Sequence, residues 1–331
     1  MSQHRIIKKM FSGFRHLKVA IAGDLMLDKY VYGSVERISP EAPVPVLDVV
    51  STDSRPGGAA NVAVNINALD ATPVVFSVIG NDANGDTLIA LLRDKGINTK
   101  HIIRSEKRIT SAKTRIIAKN HQMMRIDEEI TDDLDDSTSK KLQKSILTFL
   151  IQHKPDVFIF EDYDKGVLTP DLISVIISTC IKLNIPVIVD PKKKNFFAYT
   201  NCTVFKPNIR EINESLQTQI QQTETTDLNI ITNILKQKMP HQITLITLGD
   251  KGIYLNNGKK GAIQKAHIRN VSDVSGAGDT VVSVAALCLA SGAEPSLMAA
   301  IANIAGGLVC ELPGVVPVNK SVLLKECLNL L

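Results

Sequence analysis

Hydrophobic and polar positions follow two alternating patterns along the chain: short apolar runs and longer segments with helical spacing. Gly, Asp or Asn lies at or next to the end of each apolar run. This alternation predicts an α/β fold, in which a mostly parallel sheet is covered by helices. Because ligands of open α/β sheets bind outside the carboxyl ends of strands, we expect the functional site along that edge. The predicted strands are 18–24, 73–80, 156–162, 186–191, 203–208 and 243–249.

Two segments interrupt the alternation. Residues 30–50 contain three prolines among strand-forming valines, and residues 109–126 contain two β-branched runs around "KNHQ". Prolines at the density of the first segment are incompatible with a crossover helix, and the β-branched runs of the second segment favour strands, so we expect the two segments together to form a small β lid. The lid belongs to a single predicted domain spanning 1–331. Residues 214–228, rich in Gln and Thr, are predicted to be a surface loop.

Composition excludes several classes of protein. The 331 residues are 44% hydrophobic and 22% charged, and a net charge of +4 is spread along the chain with few aromatics, so nucleic acid is not an expected partner. Five scattered cysteines without a CxxC pair predict neither disulfides nor a zinc site. The N-terminus lacks the apolar core of a signal peptide, and no run reaches the ~18 apolar residues of a membrane span. We therefore expect a cytoplasmic protein without a membrane partner.

The stretch "DVSGAGDT" (273–280) precedes an apolar helix and carries the clearest chemistry. Backbone amides of Gly276, Ala277 and Gly278 at the positive end of that helix would bind an anion. Asp279 beside them is suited to take a proton from a hydroxyl that attacks a phosphoryl group. The motif therefore predicts phosphoryl transfer to an alcohol. The alternative is that Asp279 only favours the helix start by its charge.

A second glycine pair occurs in "RPGGAANVA" (55–63). Gly57 and Gly58 enter a helix with Asn61 one turn in, where bare backbone and an amide would contact sugar hydroxyls. A tight strand-to-helix turn explains the same residues. Asp28 follows the first predicted strand, where a carboxylate accepts hydroxyl protons, although a surface Asp is the ordinary alternative.

A third motif, "KPNIREIN" (206–213), places Asn208 and Glu211 three residues apart at a helix start. Side chains at this spacing share one helix face. Contact with magnesium or phosphate and simple helix capping are both consistent with the pair.

The order of these motifs resembles the ribokinase-like, or pfkB, carbohydrate kinases over nearly the whole chain. The resemblance implies a three-layer α/β sandwich with a β lid, and ATP and Mg²⁺ as cofactors. Within the family, "RISPEAPVPV", "DYDKG" and "VDPK" are most similar to kinases of D-glycero-β-D-manno-heptose 7-phosphate. That similarity implies ATP-dependent phosphorylation of the C1 hydroxyl, a step of ADP-heptose synthesis for lipopolysaccharide.

The resemblance also implies roles for individual residues. Asp279 would be the base, and Gly276, Ala277 and Gly278 would stabilise the moving phosphoryl group. The sugar would contact Asp28, Gly57, Gly58 and Asn61. The nucleotide and its magnesium would contact Asn208, Ile209, Arg210, Glu211, Thr247, Gly249 and Asn303, with Glu211 as a metal ligand; Asp273 would bind a monovalent cation such as K⁺.

A sugar that already carries a phosphate needs fixed cations. Candidates in segments expected to overhang the sugar are Arg37, Lys113, Arg115 and Lys165, although exposed cations are common without a ligand. The lid also has a sheet edge to protect, so we expect two copies to pair their lids in a homodimer.

Two departures from the family pattern accompany the resemblance. Lys193 stands where relatives have Gly, and no HxGH motif of a C-terminal nucleotidyltransferase domain is present, so a single-function kinase is expected. The alternatives are a fructokinase-like or ribokinase-like enzyme and a non-catalytic sugar or nucleotide sensor. A nicotinamide-dependent dehydrogenase is disfavoured, because no strand is followed by GxGxxG with a later acidic residue.

Overall fold

The computed structural model describes residues 2–119, 121–220, 224–258, 261–267 and 269–331. The strands are β1 (Lys18–Gly23), β2 (Leu25–Ile38), β3 (Pro45–Gly58), β4 (Thr72–Gly80), β5 (Ile102–Ser105), β6 (Ser111–Ala118), β7 (His121–Glu128), β8 (Val157–Glu161), β9 (Val187–Asp190), β10 (Val204–Phe205), β11 (Ile243–Thr247), β12 (Ile253–Asn256) and β13 (Ala262–Gln264). The helices are α1 (Gln3–Gly13), α2 (Ala59–Ala68), α3 (Ala83–Asp94), α4 (Asp136–His153), α5 (Pro170–Leu183), α6 (Ile209–Leu216), α7 (Thr225–Lys238), α8 (Ala277–Ala290), α9 (Pro295–Cys310) and α10 (Lys320–Leu330).

The main sheet has the strand order β13-β12-β11-β10-β9-β8-β1-β4-β5. Strands from β11 to β5 are parallel, and β12 and β13 complete one edge in antiparallel pairing. Each of the six predicted apolar runs forms a strand of this sheet. All five residues of β8 are buried, as expected for a parallel strand covered on both faces.

Two apolar cores lie on opposite faces of the sheet. Successive residues of β1 enter different cores. Ile21 belongs to the core that contains residues of α1, α2, α3, α8, α9 and α10, whereas Ala22 belongs to the core that contains residues of α4, α5, α6 and α7. The three-layer α/β arrangement is therefore confirmed. Among the described residues, no helix combines the length and hydropathy needed to cross a membrane.

The lid is a separate four-stranded sheet in the order β3-β2-β6-β7. β2 pairs antiparallel with β3 and parallel with β6, which pairs antiparallel with β7. The β character predicted for 30–50 and 109–126 is confirmed, although the strands extend beyond both segments. Of the predicted "KNHQ" turn, Asn120 lies outside the described residues.

The loop predicted at 214–228 is wrong at both ends. Residues 214–216 complete α6, and residues 225–228 begin α7. Leu228, Ile231 and Leu235 are buried on one face of α7, and this helical spacing outweighs the local Gln and Thr content. Residues 221–223 lie outside the described part of the chain.

Candidate active site

A cleft with a volume of about 820 Å³ opens at the carboxyl ends of the central strands. Asp190 at the end of β9, Thr247 at the end of β11 and Asp279 in the first turn of α8 all line it. Strand order reverses nearby, because β1 lies between β4 and β8, and such a reversal leaves a crevice between neighbouring connections. The cleft thus lies at the edge that the strand-end residues predict.

The turn before α8 is shaped by glycine. Gly276 has a left-handed backbone with φ of 78°, and a Cβ at this position would lie 2.8 Å from Asn61 Nδ2. Both features require glycine. The Ala277 amide donates to the Val274 carbonyl at 3.3 Å, so this amide already has a partner. Gly278 lies beside Asp190, with its hypothetical Cβ 3.7 Å from a carboxylate oxygen.

Asp279 is a buried carboxylate with two side-chain donors. Asn61 Nδ2 donates to one oxygen at 2.7 Å, and the Tyr163 hydroxyl donates to the other at 2.8 Å. Burial raises the pKa of Asp279 to about 6, while these two hydrogen bonds act in the opposite direction. The group is therefore ionised at neutral pH yet close to its pKa, which suits a general base.

Tyr163 was not predicted as a site residue, although it lies in the "DYDKG" motif. Its segment is anchored by the buried Asp24, which accepts hydrogen bonds from the amides of Tyr163 (2.8 Å), Lys165 (3.2 Å) and Val167 (3.2 Å). Burial and the neighbouring Asp162 raise the pKa of Asp24 to about 7. The motif therefore presents Tyr163 to Asp279 from a fixed loop.

Two lysines place positive charge in the cleft. Lys206 Nζ lies 2.8 Å from Asp190 Oδ2, and both side chains are buried. Lys192 Nζ contacts Glu211 Oε1. Burial lowers the pKa of both lysines, but nearby carboxylates raise it by more, and Asp190 has the largest raising effect on each. Both lysines therefore remain cationic. Neither was predicted as a site residue, although a lysine that follows an apolar strand indicates a position at the strand-end edge.

Glu161 lies deeper than the cleft lining. It is the last residue of β8, is paired in register with Asp190 of β9, and has no exposed surface. Among the described residues, neither carboxylate oxygen has a hydrogen-bond partner. Burial, followed by the charges of Asp190 and Asp279, raises the pKa of Glu161 well above its usual value.

The "NIRE" motif forms a complete capping box at the start of α6. Asn208 Oδ1 accepts from the Glu211 amide, and Glu211 Oε2 accepts from the Asn208 amide, both at 2.8 Å. Asn208 and Glu211 line the cleft. Ile209 packs against the core, and Arg210 is exposed in an ion pair with Glu214. The structure brings two of the four residues to the cleft.

The residues expected on the nucleotide side also line the cleft: Thr247, Gly249 and Asn303. Gly249 has φ of 63°, and Asn303 donates to the carbonyls of Gln264 and Lys265. Asp273 accepts from the amides of Ser275 and Gly314, each at 2.9 Å.

The residues expected to hold the sugar lie where the lid joins the main sheet. Asp28 follows β1 as predicted and is buried within β2 rather than exposed at the surface, and its Oδ1 lies 2.6 Å from Arg115. A Cβ on Gly57 would lie 2.1 Å from Asp28 Oδ2, and Gly58 has φ of 58°. Asn61, which is also expected to contact the sugar, donates to Asp279.

The four candidate phosphate-binding cations are only partly brought together. Lys113 and Lys165 both contact Glu129, at 3.3 and 2.8 Å. Arg115 pairs with Asp28 as described. Arg37 lies near the far end of β2, where its side chain is 66% exposed and lies 3.7 Å from Asp48. Lys193 is exposed in the turn after β9.

Comparison with known proteins gives a consistent family. The sequence pattern described as "pfkB family carbohydrate kinase" matches residues 17–321. "Bifunctional protein HldE" of Methylobacillus flagellatus is 40% identical over 93% of this chain and 62% of the relative. The protein of that name from Geotalea uraniireducens is 36% identical over 98% of this chain and 66% of the relative. The chain therefore spans less than two thirds of the length of these relatives.

Solved structures show the same fold. Phosphofructokinase-2 from Escherichia coli superposes with a TM-score of 0.76 at 18% identity, covering 94% of this chain and 99% of that chain. Another structure of that enzyme, in complex with potassium, gives the same TM-score, identity and coverage. Arabidopsis thaliana ribokinase complexed with ribose and ATP gives 0.72 at 17% identity, covering 93% and 99%. The ribokinase-like fold expected from the sequence is confirmed.

Proposed function

The chain belongs to the pfkB family of carbohydrate kinases, and we propose that it transfers the γ-phosphoryl group of ATP to the C1 hydroxyl of D-glycero-β-D-manno-heptose 7-phosphate. The observation that carries the kinase chemistry is Asp279, buried at the head of α8 between Asn61 and Tyr163. The choice of sugar is supported by the relatives named HldE and by "RISPEAPVPV" and "DYDKG". The proposed role is a step of ADP-heptose synthesis in the cytoplasm.

Asp279 acts as the general base in this proposal. It accepts the C1 hydroxyl proton while the sugar oxygen bonds to the γ-phosphorus and the bond to the bridging oxygen of ADP breaks. Burial raises the pKa of Asp279 to about 6, so the carboxylate is available above that pH. Asn61 and Tyr163 fix its two oxygens and so orient the remaining lone pairs.

The residues that line the cleft are suited to bind a nucleoside triphosphate. Lys192 and Lys206 supply positive charge, and Gly249 and Gly276 leave backbone uncovered by side chains. Thr247, Gly249 and Asn303 would contact the nucleotide, with Asn208 and Glu211 directed to its phosphates and magnesium. Magnesium, when bound, neutralises phosphate charge. Asp273, ordered by Ser275 and Gly314, is the residue that we assign to a monovalent cation such as K⁺.

The sugar phosphate is assigned to the base of the lid. Asp28 would accept sugar hydroxyls, and Lys113, Arg115 and Lys165 would face the 7-phosphate. These cations are held by carboxylates, Lys113 and Lys165 by Glu129 and Arg115 by Asp28. A phosphate would therefore compete with existing ion pairs. This observation favours a second candidate, a kinase for an unphosphorylated sugar, which needs no cationic clamp.

An ADP-coupled assay distinguishes the two candidates. The purified chain is supplied with ATP, Mg²⁺ and one sugar at a time: the heptose 7-phosphate, free heptose, fructose, fructose 6-phosphate and ribose. We expect the highest kcat/KM with the heptose 7-phosphate, and phosphate at C1 of the product by NMR. A higher kcat/KM with an unphosphorylated sugar would overturn the assigned substrate while retaining the kinase. No turnover with any sugar would favour a sensor.

A further inference from the structure

Arg55 extends from lid strand β3 to a loop between α9 and α10, residues 313–315, which we call the linking loop. Its Nη1 donates to the carbonyl oxygens of Pro313 and Val315, each at 3.2 Å. Its Nε donates to Asp53 at 2.7 Å, which fixes the direction of the side chain. Since 258 residues separate Arg55 from Pro313 in the chain, the contact joins the lid to the main domain.

The linking loop is bonded in turn to the segment that precedes α8. The Gly314 amide donates to Asp273 Oδ2, and the Ser275 amide donates to Asp273 Oδ1, both at 2.9 Å. A Cβ on Gly276 would lie 3.3 Å from Val315 Cγ1, so the linking loop packs against the glycine turn. Helix α8 begins at that turn. Direct contacts therefore run from the guanidinium to the head of α8.

Gly314 leaves room for the guanidinium. Its φ is 71°, and a Cβ at this position would lie 2.5 Å from Arg55 Nη1. Glycine is required for both reasons. A side chain at residue 314 would displace the guanidinium from the two carbonyls that it bonds.

The other end of the contact borders the residues assigned to the sugar. Arg55 pairs in register with Asp28, and Tyr30 pairs in register with Arg115. The guanidinium carbons of Arg55 and Arg115 lie 5.1 and 5.3 Å from the centroid of the Tyr30 ring. Arg55 thus lies between the base of the lid and the turn that begins α8.

We propose that Arg55 is a positioning residue for the nucleotide, because it holds the linking loop and thereby fixes the glycine turn at the head of α8. Without the guanidinium, the nucleotide itself would have to order the linking loop and the turn, and its affinity would fall by that cost. The proposal rests on nucleotide binding in the cleft, as proposed above, and not on which sugar is phosphorylated.

Nucleotide binding in the absence of sugar tests the proposal. The probe is the β,γ-imido analogue of ATP with Mg²⁺, measured by isothermal titration calorimetry, and circular dichroism checks the folding of each variant. Arg55→Ala should raise Kd at least ~5-fold, the range for residues that act through intermediate contacts. Arg55→Lys keeps a cationic donor for the carbonyls and should recover part of the affinity. The control is Arg125→Ala on lid strand β7, where Arg125 pairs with Asp127 of the same strand; it should change Kd less than ~2-fold.

Hydrogen exchange of the ligand-free chain separates positioning from a general loss of lid structure. In Arg55→Ala, we expect amide exchange in residues 272–276 and 313–316 to become at least ~5-fold faster, because the contact that restrains both segments is lost. A role confined to lid stability would instead speed exchange in β2 and β3 and leave residues 272–276 unchanged.

A second variant removes the contact from the opposite side. Gly314→Ala should also raise Kd, and adding Arg55→Ala to it should change Kd less than ~2-fold further, because the contact is already lost. Wild-type nucleotide affinity in either single variant, additive effects of the two, or faster exchange only in the lid would overturn the proposal. A wild-type chain that does not bind the ATP analogue would instead refute the kinase function on which the proposal rests.

Discussion

Replacing Asp279 by Asn should raise stability while abolishing most activity. Burial raises the pKa of this carboxyl from 3.8 to about 6, so the native state resists ionisation more than the unfolded chain does. The difference of about 2 pKa units corresponds to about 3 kcal/mol of destabilisation above pH 6, where both states are ionised. At pH 5 the native carboxyl is mostly protonated, and the destabilisation is about 1.5 kcal/mol.

The pH dependence isolates this effect from lost hydrogen bonds. An Asn side chain retains one oxygen acceptor for Asn61 or Tyr163 and presents an NH₂ group to the other donor, a loss of about 1 kcal/mol at either pH. We therefore expect Asp279→Asn to exceed wild type by about 2 kcal/mol at pH 8, and this advantage to shrink by about 1.5 kcal/mol at pH 5. Urea denaturation at both pH values, followed by circular dichroism, measures the difference.

A control of opposite sign is available in Asp82, the N-cap of α3. Burial alone would raise the pKa of Asp82, but hydrogen bonds from the amides of Thr110 and Gly85 outweigh it and lower the pKa. Its charge therefore stabilises the native state at pH values above the pKa of Asp82 in the unfolded chain, and Asp82→Asn should lower stability at pH 8.

Asp279→Asn should also lose ~10²-fold or more in kcat, because the general base is removed. A pH-independent stability difference, or near-normal turnover, would refute the assignment of Asp279 as a destabilised base.

Three further predictions concern the site and the lid. Tyr163→Phe removes a hydrogen bond that lowers the pKa of Asp279, so the acid limb of kcat/KM should move up by about 0.4–1 pH unit, and an unchanged limb would argue against the contact. Lys165→Ala should raise KM for the sugar phosphate by ~10-fold or more and leave KM for ATP unchanged. Replacing the exposed Arg210 by Ala should change neither KM, and a rise in KM for ATP in Lys165→Ala would place Lys165 on the nucleotide side. Val50, on lid strand β3, is 78% exposed, and Val50→Asp should convert a dimer to a monomer, as measured by light scattering. A monomeric wild-type chain would contradict the lid-pairing hypothesis.

The strands and the lid were predictable because their residue patterns are local. A fully buried strand such as β8 is a continuous apolar run in the sequence. The prolines of residues 30–50 exclude a helix in that segment. The chain-level order of motifs then supplied the family. Local patterns do not show which strands become neighbours in the sheet. For example, β2 pairs with β6 although more than 70 residues separate them in the chain.

The same limit explains the missed site residues. Glu161 and Asp190 each end an apolar strand, and either one alone is an ordinary strand-end acid. Their significance arises from register, which places them side by side, and from α8, which brings Asp279 from a motif 118 residues beyond Glu161. Tyr163 was missed for a related reason, because its hydroxyl matters only once Asp24 fixes the loop that carries it.

The "NIRE" motif shows why local alternatives need not compete. Helix capping and ligand contact were separate explanations for Asn208 and Glu211, yet a carboxylate has two oxygens. Oε2 of Glu211 completes the capping box, while Oε1 faces Lys192 in the cleft. The cap fixes the side chain so that its second oxygen is presented without further loss of rotamer entropy. The capping role and the proposed ligand-binding role therefore involve different atoms of one residue, and a sequence identifies only the residue.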